Sequence, residues 1–400
     1  MKTSRADLTM NAIAGLSCHA IATALLIVLA ACVPDRRSAI NAGPEAEIGQ
    51  VQVLAFAPDT ATRDALLSAA TARGYRGLAE TELPALGLTM LSLETPRGVT
   101  GEAAIETLEA IVPASTVGLN HKYRLQNVSS TVGTRRNYAS ALMSWPDGGC
   151  SATVPIGLID TTVDTTSVVL NGAQIVSERF TDSPSLDMRH GTEMAAVLAD
   201  PSRLQNVTIY SASVVGMTPE GDSVANTDAL IRALDWMTGL NVPLVNIALA
   251  GPYNKLLEQA VDAATAQGLT LVAAVGNAGP DVDPLYPAAF EAVVAVTAVD
   301  AERRLFRNAV RGTHVDVAAP GVDIFVSNGS QARFVTGTSI ATAFVTAWLA
   351  ASPSFTTGTN IQLARQRLLS SSEDLGARGP DPLFGVGLLS AEGLCIAGAG

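Results

Sequence analysis

Apolar positions along this chain change rhythm near residue 150. Before it, residues 51–56 alternate as a strand does, 60–73 carry apolar residues at helical spacing with Gly74 as a stop, 86–93 read as a second strand, 101–111 as a second helix and 117–125 as a closing strand. The order β-α-β-α-β within about 80 residues fits a small ferredoxin-like α+β unit. Beyond it, apolar runs of strand length at 154–159, 207–215, 244–249, 269–275 and 292–299 are rich in β-branched residues, as strands buried on both faces are. Helical patterns at 192–198, 223–240 and 255–267 lie between them, the last stopped by Gly268, and the Ala-rich run 341–351 reads as a buried helix. This alternation predicts an α/β fold: a doubly wound, mostly parallel sheet with helices on both faces. Ligands of such sheets bind beyond the carboxyl ends of the strands.

Composition adds class and compartment. Hydrophobic residues make up 48% of the 400 and charged residues 16%, a globular balance. The formal charge of -12 and the lack of a basic stripe argue against a nucleic-acid partner. Residues 1–32 read as a signal peptide: Lys2 and Arg5 open it, and an apolar or small run from Ala20 to Ala31 follows, about a dozen residues and short for a membrane span. Its end, Leu29-Ala30-Ala31-Cys32, resembles the bacterial lipobox, in which the cysteine is lipidated. That implies an exported protein held in the cell envelope through its N-terminal lipid. Val33 after the cysteine, rather than an aspartate, leans toward the outer membrane. Ordinary signal cleavage with Cys32 incidental is the alternative. The remaining divisions are a tether at 33–47, the small unit at 48–126, a linker at 127–149, the α/β unit at 150–396 and a tail at 397–400. Of the four cysteines, Cys150 and Cys395 edge the α/β unit. In an oxidising compartment a disulfide between them is one reading, and two unpaired cysteines the other.

Candidate chemistry gathers at predicted strand ends and helix starts. Ser339 sits in Gly337-Thr338-Ser339-Ile340-Ala341-Thr342 at the start of the buried helix, where free backbone N–H groups and the helix dipole favour negative charge. A serine there needs a base to become a nucleophile; otherwise it is an N-cap. Asp160 closes the apolar run Ile156-Gly157-Leu158-Ile159, a costly place for a carboxylate without a partner. His190 precedes Gly191 and a small-residue helix, and Asn277 lies between glycines after a buried strand. Taken singly, these would be an Asx-turn, a core histidine and a turn former.

Together they resemble subtilisin-like serine peptidases. The resemblance rests on Ile159-Asp160-Thr161, His190-Gly191-Thr192, Ala248-Leu249-Ala250-Gly251-Pro252, Gly276-Asn277, Ala318-Ala319-Pro320-Gly321 and the Ser339 segment, in the order Asp, His, Ser. It implies a subtilisin-like sheet and an endopeptidase in which Ser339 attacks a peptide carbonyl, His190 moves the proton, Asp160 orients the imidazole and Asn277 helps to hold the oxyanion. Ala248, Leu249, Ala250 and Gly251 would pair with extended substrate, a peptide or protein. It also implies that the unit at 48–126 is a propeptide partner that blocks the cleft, cut from the α/β unit somewhere between Leu125 and Cys150; a non-inhibitory accessory domain is the alternative. No cofactor is evident, and no metal cluster of His, Cys and carboxylates is legible; calcium enters through the resemblance alone. Glu193 stands where the family usually has a second histidine, and its charge would raise the His190 pKa. The walls at 248–252 and 276–287 are mostly small or apolar, which suggests an apolar or modest side chain before the cut bond. Two competing readings are a catalytically silent scaffold or binding protein on the same fold, and an esterase, which the missing Gly-x-Ser-x-Gly elbow disfavours.

Overall fold

The computed structural model describes residues 50–126, 128–130, 138–184, 186–218, 221–327, 331–355 and 359–395, with 128–130 described by their backbone alone. The signal and tether readings, Cys32 and the tail at 397–400 lie outside the described residues.

The small unit runs β1 (Gln52–Ala57), α1 (Thr60–Ala72), β2 (Arg76–Leu83), β3 (Leu88–Glu94), α2 (Gly101–Ile111) and β4 (Thr116–Leu119). Its antiparallel sheet has the order β2-β3-β1-β4. This βαββαβ arrangement is ferredoxin-like, with one strand more than the sequence pattern suggests. The extra strand β2 lies at the sheet edge and is almost wholly exposed, so its residues show no apolar alternation. Asp59 and Thr100 start the two helices by accepting from the Thr62 and Ala103 N–H groups.

Both faces of β1 are buried, for different reasons. Val53, Ala55 and Ala57 pack with Leu66, Leu93 and Leu108 in the unit's own core. Leu54 and Phe56, on the opposite face, join the large core of the α/β unit.

After β4 the expected closing strand breaks in two. Asn120 and His121 interrupt it, and β5 (Lys122–Leu125) leaves the small sheet for the α/β unit, followed by β6 (Val128–Ser130). The α/β unit then supplies β7 (Ile156–Asp160), β8 (Gln174–Arg179), α3 (Arg189–Leu198), β9 (Thr208–Ser213), β10 (Ser223–Asn226), α4 (Thr227–Gly239), β11 (Leu244–Ile247), β12 (Leu249–Ala250), α5 (Lys255–Ala266), β13 (Thr270–Ala274), β14 (Val293–Val299), β15 (Val317–Pro320), β16 (Ala332–Thr336), α6 (Thr338–Ala351), α7 (Ile361–Ser370), β17 (Ser372–Glu373) and β18 (Leu388–Leu389). The main sheet has nine strands in the order β17-β18-β15-β14-β13-β11-β7-β9-β8, parallel except for β17. Every residue of β7, β11, β13 and β14 is buried, so both faces of the sheet centre are covered. Helix α6, buried along its whole length, lies against β11, β13, β14 and β15, and α3 packs on it. The helix expected at 223–240 starts only at Thr227, because 223–226 form the cleft strand β10. A disulfide joins Cys150 to Cys395 at the two ends of the α/β unit.

Candidate active site

The chain crosses from one side of the sheet to the other about β7: β8 and β9 lie on one side, β11 and β13 on the other. Asp160 is the last residue of β7 and therefore sits at a topological switch point, where α/β sheets bind ligands. Helix α3 begins beside it. The Gly191 N–H donates to Thr161 Oγ1 at 2.7 Å, and a Cβ on Gly191 would lie 2.4 Å from the Thr161 carbonyl oxygen. Only glycine permits that approach, and it brings His190 onto Asp160.

The His190 Nδ1 to Asp160 Oδ1 distance is 2.6 Å, and both side chains are buried. Asp160 Oδ1 also accepts from the Thr161 N–H at 2.6 Å. A carboxylate on Nδ1 fixes the tautomer and leaves Nε2 as the working nitrogen. Nε2 is buried and has no hydrogen-bond partner among the described residues. Burial pushes the imidazole pKa down; the Asp160 carboxylate outweighs it, with Glu193 and Asp187 adding to the rise, and the net shift is upward. Glu193 is itself buried against Arg333, whose Nε and Nη2 donate to its two oxygens at 2.7 and 2.8 Å.

Ser339 is the second residue of α6, so its backbone N–H is among those the helix cannot satisfy. Both Ser339 groups turn to one acceptor, the carbonyl of Gln126: Oγ donates to it at 2.6 Å and the N–H at 3.2 Å. The hydroxyl is buried, and Gln126 is what lies over it. Asn277 stands alongside. Its Oδ1 accepts from the Thr338 N–H and hydroxyl at 3.1 and 3.0 Å, which leaves Nδ2 buried and without a partner among the described residues. The Asn277 N–H donates to Gln126 Oε1 at 2.8 Å.

Ala248, Leu249, Ala250 and Gly251 come to the same place. β5 lies between β10 and β12, antiparallel to both, with Leu249 opposite Leu125 and Ala250 opposite Arg124. The Ala248 carbonyl accepts from the Gln126 N–H at 3.3 Å, and Gly251 faces the Tyr123 ring. Past Gln126, β6 pairs antiparallel with β16. Asp160 and His190 thus form one bonded pair, while Ser339, Asn277 and the 248–251 edge converge on Gln126.

Two contributors escape a reading of the sequence. Thr338 orients the Asn277 amide; it lies inside the Ser339 motif, where nothing about a threonine signals that role. Gln126 ends the small unit, and nothing in its neighbours singles it out. Among the described residues, no group of three or more His, Cys, Asp or Glu side chains is gathered that could hold a metal ion; calcium remains an expectation of the resemblance.

Comparison with known proteins agrees with this geometry. The subtilase family matches residues 151–387. Subtilisin DY of Bacillus licheniformis is 30% identical over 256 residues, 60% of this chain and 90% of that protein. The thermophilic serine proteinase of Bacillus sp. (strain AK1) is 32% identical over 283 residues, 68% of this chain and 66% of that one. Among solved structures, fervidolysin from Fervidobacterium pennivorans, a keratinolytic enzyme related to subtilisin, shares the fold with a TM-score of 0.71 at 20% identity, over 87% of this chain and 61% of its own. That share is larger than the α/β unit alone, so the likeness reaches into the small unit. With its parallel sheet and its match to the family over more than half its length, the chain belongs to the subtilase family and is, by that membership, a serine-type endopeptidase.

Proposed function

We propose that the chain is an exported endopeptidase whose reaction runs through Asp160, His190 and Ser339, and that the unit at 48–126 is its propeptide. In the reaction the Ser339 hydroxyl gives its proton to His190 Nε2 as Oγ attacks a peptide carbonyl carbon. The carbonyl oxygen gains negative charge, held by the Ser339 N–H and by Asn277 Nδ2. The C–N bond then breaks, and His190 returns the proton to the departing amine. One water, deprotonated by His190, hydrolyses the acyl ester, frees the new carboxyl group and restores Ser339. Asp160 orients the imidazole and stabilises its charged form. Extended substrate would add a strand against Ala248, Leu249, Ala250 and Gly251.

The observation that carries this reading is a peptide carbonyl lying on both Ser339 donors, with the chain paired as strand on either side of it. That carbonyl belongs to the chain itself, which supports a blocked precursor. The unit is also docked away from the cleft. Asn254 at the start of α5 donates to the Leu119 carbonyl at 2.8 Å, Asp235 accepts from the Ala85 and Leu86 N–H groups, and Lys255 pairs with Glu109 at 2.5 Å. A lipid on Cys32 would hold the precursor in the envelope.

Replacement of Ser339 by Ala tests the reading. Wild-type protein is expected to appear as two pieces separated within 126–150, and the variant as one intact chain. Equal cutting of both would remove Ser339 from the reaction.

A further inference from the structure

The residues around Gln126 carry more than a blocked cleft, because the fit at each position can be read as a preference. This inference rests on the proposed roles of Ser339 and Asn277. We infer that the cleft selects peptides with glutamine immediately before the cut bond and a tyrosine three residues earlier, and that the precursor is cut on the carboxyl side of Gln126.

The backbone argues for the position of the cut. Between β10 and β12 the segment 122–125 makes the sheet contacts of an extended ligand, and on the other side of Gln126 β6 pairs with β16. Gln126 lies where the two runs meet, and its carbonyl takes the Ser339 donors. Attack at that carbonyl breaks the bond between Gln126 and Asn127. One water is consumed, Gln126 keeps a carboxyl group, and Asn127 leaves with a free amine.

The side chains argue for the preference. Gln126 is only 8% exposed, and both ends of its side-chain amide are used. Oε1 accepts from the Asn277 N–H at 2.8 Å, and Nε2 donates to the Arg124 carbonyl of the same strand at 2.8 Å. A glutamate would set a carboxylate oxygen against the Arg124 carbonyl. A leucine or methionine would fill the space and leave the Asn277 N–H unpaired. A buried donor or acceptor without a partner costs on the order of 1–3 kcal/mol, roughly 5- to 150-fold in rate when it applies in the transition state. The site therefore selects for the amide and against both isosteres. The sequence suggests an apolar or modest residue here; what favours an amide instead is a backbone N–H, that of Asn277, which no side-chain inventory records.

Upstream, Tyr123 is fully buried, and its hydroxyl donates to the Pro252 carbonyl at 2.9 Å. A Cβ on Gly251 would lie 2.5 Å from the Tyr123 ring, so the absence of a side chain there makes the slot. Arg124 points to solvent and reaches Asp222 only at 3.6 Å, with both groups exposed, so that position is expected to be permissive. Leu125 is half-buried at the edge of the core.

The test starts from the full chain, allowed to process itself. Mass spectrometry of the pieces is expected to find a new N-terminus at Asn127. The processed enzyme is then given peptides containing Tyr-Arg-Leu-Gln and their Gln→Glu, Gln→Leu and Tyr→Ala counterparts. Each replacement is expected to lower kcat/KM about tenfold or more. Ser339-dependent cutting at another bond, or equal hydrolysis of the glutamine and leucine peptides, would overturn the inference and leave the peptidase reading standing. If the wild-type chain stays whole and hydrolyses no peptide, both fall. Because the peptides are separate molecules, the preference is measured without any variant that might misfold.

Discussion

The two halves of the cleft are in different states. Asp160 and His190 come from β7 and α3 of the same unit, and their contact is short, buried and complete. Ser339 and Asn277 sit at the start of α6 and after β13; the Ser339 hydroxyl and N–H and the Asn277 N–H all donate to Gln126 of the small unit, while Asn277 Nδ2 has no partner among the described residues. On the proposed reading, the proton-handling pair is thus assembled while the Gln126 carbonyl occupies the Ser339 side of the oxyanion site. Under the proposed roles, activity is withheld by filling the site, not by dismantling it, and release needs only departure of the chain that fills it. This accounts for the double burial of β1: one face holds the small unit together, and the other holds it on the enzyme.

The comparison can be broken from either side. Asp160→Asn attacks the assembled half. It should reverse the tautomer preference of His190 and lower kcat about 10⁴-fold, the size seen when the triad aspartate of chymotrypsin-like peptidases is replaced. Peptide kinetics on the variant, processed by added wild-type enzyme, should find KM little changed. Asn277→Ala attacks the other half. A loss of roughly 10²–10³ in kcat is expected, a magnitude known for subtilisin's own oxyanion asparagine and carried over to this relative. A change in KM alone would assign Asn277 to ground-state binding instead.

The junction gives a gentler handle. Burial holds the His121 pKa below the ordinary 6.5. Its carbonyl accepts from the Thr227 N–H, and its ring meets the Asn254 amide at 3.1 Å, so docking disfavours its protonation. Above pH 6.5 both docked and released forms are neutral and docking is at full strength. As pH falls below 6.5 the released form takes up the proton first, and docking weakens down to the lowered pKa. Gel filtration of the processed protein at about pH 8 and about pH 5 should therefore find less small unit retained at the lower value, and His121→Gln should flatten the difference. Equal retention at both would contradict the assignment.

The smallest effect concerns Glu193. Under the proposed roles, the raised His190 pKa is expected to move the acidic limb of the pH–rate profile upward, since only the neutral imidazole can take the serine proton. Removal of the Glu193 charge in Glu193→Gln should move that limb to lower pH, by an amount that pairing with Arg333 keeps small. An unmoved limb would mean that Glu193 serves the α3–β16 contact alone.

Much of this is legible in the sequence because it is written locally. The buried strands appear as unbroken apolar runs, and the residues proposed for catalysis sit in short motifs at strand ends and helix starts. What escapes is written across distance. Gln126 and Ser339 are 213 residues apart, and no local pattern joins them. Strand β10 merges into a helical window because Val224 and Ala225 are buried by pairing with β5, not by a helix face. Strands β2 and β8 are exposed edges, which need no apolar alternation. The closing strand of the small unit reads as one because the interruption at Asn120 and His121 is satisfied by the α/β unit: Asn120 bonds Asp228, and His121 bonds Thr227.

The central claim is that Ser339 becomes nucleophilic through His190 once Gln126 leaves. A fluorophosphonate probe followed by peptide mapping tests it most directly, because the probe reacts only with an activated serine. The account predicts one adduct, on Ser339, in processed wild-type protein, and none in Ser339→Ala, in His190→Ala or in unprocessed chain. An adduct on another serine, or none on Ser339 after the small unit has gone, would contradict it and favour a silent scaffold on the same fold.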